Sequence, residues 1–576
     1  MKTQAFCFCL LTFLCLNACK NLERPADEVI AHILSEPPSL HPTNERAGYK
    51  DEILGYSHQR LTVIDPDKGS IVPELAAEAP EKFEDGLRYT YTLHPKAAWP
   101  DGQKMTMDDV LFSYKVVACP YVDAAHMRGY LSSVEDLKLY PDDPTKMDMV
   151  FKEYSVTNMS LGGLAMILDP RKYDPEGVLS SFSLTDLLSM ENDSTDQESA
   201  LSKWAKNFND PKYGREIELL QGGSGPYQVA EWEAEQQIRL VRNTNYWGKG
   251  LGGLLNAQKP ASIVYKFIKD DKAVELQFKS QQLDVSTSLS IGTYQSLDSS
   301  DVASQNYILK VAPRESFAFL AMNNRPDGIR RKAFFSDKKV RQAIAHVVPI
   351  EEMIEEYFNS TVIRTTSAVP NGHPDHNPNL TPLAYDPEKA RQLLAEAGWA
   401  DSDGDQILDK VIDGTKIDFK ADMLYPPNGE SIKNLIARVK KECEMIGIQL
   451  NLVPEVMGVY RPQVWAHDFD MALMALGSTP LVYNFDQIFH SSNWAEGDNF
   501  MGFNNAEADA LITQANLERD PDARLKIAYR IQEIMLDEQP CVFLFNPAQK
   551  MAVHKRFKDV KFYDSDPYIV LSELGE

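Results

Sequence analysis

Cysteine is scarce and poorly placed for crosslinking. Of seven in 576 residues, Cys7, Cys9, Cys15 and Cys19 crowd the first nineteen positions, and Cys119, Cys443 and Cys541 are scattered over the rest. Three distant thiols support no disulfide framework. Positive charge is also in deficit, with 59 Lys and Arg against 84 Asp and Glu, a net charge of -25. A chain so acidic repels a phosphate backbone, which excludes nucleic acid as a main partner. No apolar run after Leu16 reaches membrane-spanning length, and no internal repeat or long low-complexity block appears. Catalytic signatures are missing too: there is no His-Glu-x-x-His. The Gly-rich QGGSGPY at 221–227 is followed by no Gly-Lys-Ser/Thr, and Pro226 stands where a Gly-x-Ser-x-Gly elbow needs its last glycine. Those glycines are read instead as a turn requiring positive φ.

What the chain does have starts at its first residues. MKTQAFCFCLLTFLCLNAC places Lys2 before an apolar run from Ala5 to Leu16, the shape of a secretory signal and too short to span a bilayer comfortably. Leu16-Asn17-Ala18-Cys19 resembles the lipobox of bacterial lipoproteins. That resemblance implies a signal peptide over 1–18, a diacylglyceryl thioether on Cys19, and a mature chain anchored to a membrane without crossing it. The polar KNLERPADE follows directly.

With 43% hydrophobic residues the chain can bury two or more cores. VIAHIL at 29–34 reads as a short strand ending in the Pro-rich turn SEPPSLHP. LTVIDPDKGS reads as a hairpin, and YTYTLHP alternates as a half-buried strand does. Thr106 is placed to cap a helix with Val110, Leu111, Tyr114 and Val117 on one face. Asp386-Pro387 and Asp520-Pro521 open two more helices, Gly398 closes the first, and Pro349 divides a third. SIKNLIARVKKECEMIGIQLNLVPE reads as a helix, Gly447, then a strand. The pattern predicts a mixed α/β chain.

Five segments in order carry a more specific resemblance. GSGPYQVAEWEAEQQIRLVRNTNYWG (223–248) resembles the G-[TS]-G-P-Y and R-N-x-x-Y-W signature of the family 5 bacterial extracellular solute-binding proteins, the oligopeptide and dipeptide type that serves ABC importers. PELAAEAPEKFEDGLRYTYTLHPKAAWPDGQKMTMDDVLFSY, FAFLAMNN with KKVRQAIAHVV, DPEKARQLLAEAGW, and MGFNNAEADALITQA leading into DPDARLKIAYRIQEIMLDEQPCVFLF agree in type and order. The resemblance implies a two-lobed α/β periplasmic-binding-protein fold, type II, of the large class with an extra β-rich domain. It implies no catalysis: the lobes close on a solute and present it to a permease. The expected layout is a tether and the start of lobe I over 19–55, the inserted β-rich domain over 56–169, lobe I over 170–310, lobe II over 311–539, and a return to lobe I over 540–576. A monomeric receptor, lipid-anchored in the periplasm to the cell membrane or outer membrane, follows from the same resemblance.

Oligopeptide-binding relatives hold the ligand's α-amine with an aspartate near the end of a second-lobe strand. In the corresponding stretch, DFDMALMALGSTPLVYNFDQIF, the acidic anchor is displaced and Asp486 is the nearest substitute, with Tyr483 and Asn484 beside it. Its alternative role is a helix N-cap. Glu36 at the end of the first strand, Asn323 at the end of FAFLAMNN, and Trp494 in SSNWAEG are further ligand-binding candidates by position. DSDGDQILD sets Asp401, Asp403, Asp405 and Asp409 as a structural calcium loop would, although Gln406 and Ile412 break the EF-hand pattern. His373, Asp375 and His376 lack a third imidazole for a metal site. No cofactor beyond that calcium is expected. Competing readings are a same-fold receptor for a short glycan or a metal chelate, a lipid-anchored hydrolase, and an adhesive surface lipoprotein.

Overall fold

The computed structural model describes residues 27–576 apart from 45–47, 84–85, 194, 197, 253, 255, 327–330, 413, 428, 479–480 and 496. The signal peptide and Cys19 expectations therefore lie outside the described residues.

The chain opens with β1 (Glu28–Ile33), buried along its whole length, and then enters an inserted domain. β2 (Thr62–Asp65) and β3 (Ser70–Pro73) form the expected hairpin. β4 (Glu81–Lys82), β5 (Arg88–Thr92), β6 (Val134–Tyr140) and β7 (Asp143–Phe151) form a sheet in the order β4-β5-β7-β6. Helix Met107–Ala118 lies against it, opened by a Thr106–Asp109 capping box. The core around this sheet does not stop at residue 169. It continues through Tyr173, Leu179, Trp204 and Phe208 to Tyr213, where the Trp204 and Phe208 rings stack at 5.4 Å and the indole donates to the Tyr173 carbonyl at 2.9 Å. Residues 170–213, expected in lobe I, thus pack with the insertion because their aromatic side chains complete its core.

One buried group there gives the fold a pH dependence. The Glu74 carboxylate is 4% exposed and accepts the Arg60 N–H at 2.7 Å. Burial pushes its carboxyl from 4.5 up to about 7, against the opposing pull of that hydrogen bond and of the Arg60 charge. A raised folded-state pKa means the stability it contributes is full below about pH 4.5 and is lost as pH climbs through about 7. Glu74→Gln keeps an acceptor for Arg60. It should match the parent at pH 4.5 and exceed it by about 1–3 kcal/mol at pH 8 in urea unfolding, and a gain equal at both pH values would contradict this account.

The chain then returns to the first lobe. β8 (Tyr227–Glu233), β9 (Gln237–Arg242), β10 (Ser262–Phe267), β11 (Val285–Ser286) and β12 (Tyr307–Pro313) join β1. The second lobe holds β13 (Ser316–Met322), β14 (Ile363–Arg364), the β15 (Asp409–Ile412) and β16 (Thr415–Asp418) hairpin, β17 (Lys420–Tyr425), β18 (Gln449–Pro454), β19 (Met471–Gly477) and β20 (Cys541–Asn546). β21 (Ala548–His554) returns to the first sheet, whose order is β12-β21-β11-β1-β10-β9-β8, while the second runs β14-β20-β13-β19-β17-β18. The crossings therefore fall at Arg314–Glu315 and Pro547, set by strand pairing, and not at 311 and 540. Helices sit on both faces of the second sheet.

The local signals act as read. Asp386 and Asp520 accept the N–H groups of Lys389 and Ala523, Pro349 separates helices Lys338–Val347 and Ile350–Phe358, and Gly447 at φ +86° lets helix Glu430–Glu444 turn into β18. The glycines of GGSGP differ from expectation. None from Gly222 to Gly225 has positive φ; a Cβ on Gly223 would lie 1.9 Å from the Ser57 carbonyl oxygen. Close backbone approach, not turn conformation, demands Gly223 and Gly225.

Candidate functional site

Strand direction places the site. β1 runs parallel to β10 and β11, and β12 and β11 both run antiparallel to β21. The carboxyl ends of β1, β10 and β11 therefore share the edge from which β12 leaves. In the second sheet Ser316 of β13 faces Gly477 of β19, and β17 is parallel to both β18 and β19. The carboxyl ends of β17, β18 and β19 share the edge where β13 enters. Both carboxyl edges thus meet at the two-stranded crossover, where crevices in open α/β sheets bind ligands.

The first-lobe edge is held rigid by His32. Its ring nitrogens lie 2.9 Å from the Ser286 hydroxyl and 2.9 Å from the Ile268 carbonyl, tying the ends of β1, β11 and β10 together. Burial lowers its pKa, so the ring is neutral at physiological pH. The Tyr49 hydroxyl accepts the Leu34 N–H at 3.3 Å and reaches Ser288 at 3.4 Å. Glu36 is committed within this lobe. Its carboxylate accepts from the Arg215 guanidinium at 2.7 Å, the Trp232 indole at 2.7 Å and the Glu235 N–H at 3.0 Å. Burial would raise its carboxyl, but these donors outweigh that and hold it below the ordinary value.

At the crossover, the Arg314 N–H donates to the Pro547 carbonyl at 2.9 Å and the Ser478 N–H to the Glu315 carbonyl at 2.7 Å. The Asn546 amide donates to the Ser316 carbonyl and accepts from the Asn371 N–H, fixing the loop after β14 beside it. Oε2 of Glu315 and the Ser316 hydroxyl are buried and find no hydrogen-bond partner among the described residues, and burial raises the Glu315 carboxyl. Sequence reading missed both residues. Only the charged pair Arg314-Glu315 between two apolar strands marks them.

Beyond β19 the chain carries the other candidates. Tyr483 is buried, its N–H held by the Asp375 carboxylate at 2.8 Å. Asp375 is itself bound at 3.0 Å through both oxygens by Arg524, which removes it from metal chemistry. Asn484 accepts the Asp486 N–H at 2.8 Å. The Asp486 carboxylate starts helix Asp486–Phe489, half-buried, with no hydrogen-bond or ion partner among the described residues. The Asn493 amide donates to the Asp486 carbonyl at 2.8 Å and so joins this segment to Trp494, which lies with Asn323 farther from the crossover. The Asn323 amide donates to the His467 and Phe469 carbonyls, and Trp494 stacks on His467 at 5.0 Å with Arg325 over its ring at 4.4 Å. This cluster adjoins Met322 and Met471, at the sheet edge opposite the crossover, roughly 20 Å away at strand rise.

Asp401, Asp403 and Asp405 bring carboxylate oxygens within 4.8 Å of one another, all exposed. Asp409 is drawn away: it accepts the Ser402 N–H and hydroxyl, and the Lys416 ammonium sits 2.6 Å from Asp403 and 3.3 Å from Asp409. Three carboxylates suit calcium, but the lysine already neutralises part of the charge.

Residues 70–524 match the family described as bacterial extracellular solute-binding proteins, family 5 Middle. The chain belongs to this family. The oligopeptide-binding protein AppA of Bacillus subtilis (strain 168) is 26% identical to this family 5 protein over 549 residues, covering 93% of this chain and 89% of that one. The solved structure of Bacillus subtilis AppA with a nonapeptide superposes with TM-score 0.75 at 21% identity, over 95% of this chain and 98% of that one. NikZ from Campylobacter jejuni in complex with Ni(L-His) gives 0.73 at 20% identity, over 93% and 96%. The fold is that of the two-lobed periplasmic binding proteins. Family 5 proteins are extracellular or periplasmic, bind solutes for transport and are not enzymes. Among the described residues no helix is long and apolar enough to cross a membrane.

Proposed function

We propose that this family 5 protein captures oligopeptides between its lobes and hands them to the permease of an ABC importer. The observation that supports this most is the convergence of both carboxyl edges on the crossover, with Oε2 of Glu315 and the Asp486 carboxylate beyond β19 finding no hydrogen-bond partner among the described residues. The names of its relatives support the same reading. A peptide brings an ammonium that a free carboxylate can hold through charge-assisted hydrogen bonds, and main-chain groups that pair independently of sequence. Side chains of any kind then sit in hydrated pockets at small cost. Binding shifts the lobes toward closure.

The monomer works outside the cytoplasm, and a lipid on Cys19 holds it at the cell or outer membrane. Attachment raises its local concentration beside the permease. Cys19→Ser should release the protein into the soluble periplasmic fraction, which labelling with radioactive palmitate would follow.

Native mass spectrometry of the chain lacking residues 1–19, purified from periplasm, tests the ligand. A ladder of co-purified short peptides supports the proposal; an empty protein whose melting temperature no peptide library moves overturns it, and a metal chelate or glycan found instead reassigns the ligand. Asp486→Asn keeps the side-chain size and removes the charge. It should weaken peptide affinity about 30-fold, near 2 kcal/mol for one charge pair at a half-buried site, measured by calorimetry, while an N-acetylated peptide should lose little on the same substitution.

A further inference from the structure

The two crossing strands are not the only bridge between the parts of this molecule. The loop after β7, in the inserted domain, touches the second lobe. The Val156 N–H donates to the Asn516 carbonyl at 3.1 Å, and the Arg519 guanidinium lies 4.6 Å from the centre of the Tyr154 ring. The inserted domain is fastened to the first lobe: the Trp247 indole donates to the Gln59 amide oxygen at 2.9 Å, the Asn245 amide to the Pro100 carbonyl at 3.2 Å, and a His41 ring nitrogen lies 2.7 Å from the Phe208 carbonyl. It therefore travels with that lobe, and any rotation that parts the lobes about the crossover must break the Val156 and Tyr154 contacts.

We propose that this contact is a latch, through which the inserted domain holds the closed state and slows release of the solute. Its two halves are prepared for that role. Tyr154 rests on the turn at Gly86, where φ is +64° and a Cβ would come within 2.7 Å of the ring, so glycine is required to seat it. Lys82 reaches the same ring at 5.6 Å. On the second lobe, Asn516 lies in the last turn of helix Ala506–Leu517, where carbonyls have no partner within the helix. That oxygen takes a protein N–H when the lobes are closed and water when they open, so the exchange is nearly balanced. A cation over an aromatic face at a partly exposed site is similarly modest. Together they bias an equilibrium without locking it, as a carrier that must later release its cargo requires.

The inference does not depend on the solute, and its test uses none. In the chain from Lys20 onward, which contains every described residue, spin labels at Leu276→Cys and Met445→Cys report the separation of the lobes by electron-electron resonance. Both positions are exposed, and Cys119, Cys443 and Cys541 are buried and unlabelled. Tyr154→Ala and Arg519→Ala should each raise the ratio of open to closed molecules about threefold to tenfold. Gly86→Ala should do the same without touching the second lobe, and Tyr154→Phe should not. A second pair, Val156→Cys with Asn516→Cys, should oxidise to a disulfide that abolishes the open population. Unchanged distance distributions in both alanine variants, or no crosslink at 156 and 516, would overturn the latch.

Discussion

Asp375→Ala should cost the second lobe about 3–5 kcal/mol, the loss expected when one member of a buried ion pair is removed and the other is left without a counter-charge. Asp375 and Arg524 have side chains only 3% and 12% exposed. The bidentate pair is one part of a larger network: Asp375 also holds the Tyr483 N–H, its own carbonyl accepts from the Gln532 amide at 2.8 Å, and Gln532 in turn accepts from Ser367 and Asn377. Deleting the carboxylate strands a guanidinium and a backbone N–H together. For a lobe of this size the unfolding midpoint should fall by roughly 10 °C. Calorimetry that resolves the lobes is the appropriate measurement, since a multidomain chain need not unfold in one step. The double variant Asp375→Leu, Arg524→Met should recover much of the loss, because matched apolar groups leave no unpaired charge. A cost below about 1 kcal/mol for Asp375→Ala would mean that water enters and replaces the pair. The segment from Tyr483 to Asp486 loses its anchor in the same variant, so peptide affinity should fall with stability.

Gly223→Ala should be as damaging for a different reason. The added methyl would sit 1.9 Å from the Ser57 carbonyl oxygen and 2.7 Å from its carbon. That oxygen cannot easily withdraw, for it accepts the Gly225 N–H at 2.9 Å, and the Asn243 amide holds the Gly225 carbonyl at 3.1 Å. Backbone against backbone offers no flexible side chain to move aside. The expected loss is about 3 kcal/mol or more, at the upper end for overpacking, and is seen as reduced soluble yield and a lowered melting temperature. Gly292→Ala is the control. It lies in helix Ile291–Asp298 with nothing within 4 Å of the new methyl, and should be neutral or stabilising by up to about 1 kcal/mol. Equal effects at the two positions would remove the steric explanation.

These two residues also show how far sequence reading reaches. The glycines of GGSGP were recognisable as necessary, but the reason given for them, positive φ, was local, and the real one at Gly223 and Gly225 is a helix end brought against them at residue 57. Asp375 stood between two histidines and invited a metal reading; its partner is 149 positions away. Glu36 was a natural cleft candidate at the end of β1, yet Arg215 and Trp232, 179 and 196 positions away, occupy its carboxylate. Asn323 and Trp494 were cleft candidates by position, and strand direction puts Asn323, with the Trp494–His467 stack beside it, at the sheet edge opposite the crossover.

The sequence by itself determined the helix caps at Thr106, Asp386 and Asp520, the break at Pro349, the turn at Gly447 and the family, because each depends on neighbours a few residues apart or on an ordered set of motifs. Only the tertiary structure decided that residues 170–213 complete the inserted domain, that Glu315 and Ser316 lie at the crossover, and that Tyr154 reaches Arg519. Caps and turns are set by backbone geometry within one turn of chain. The commitment of a carboxylate or a ring is set by whichever group the packed fold brings beside it, and that group carries no mark in the local sequence.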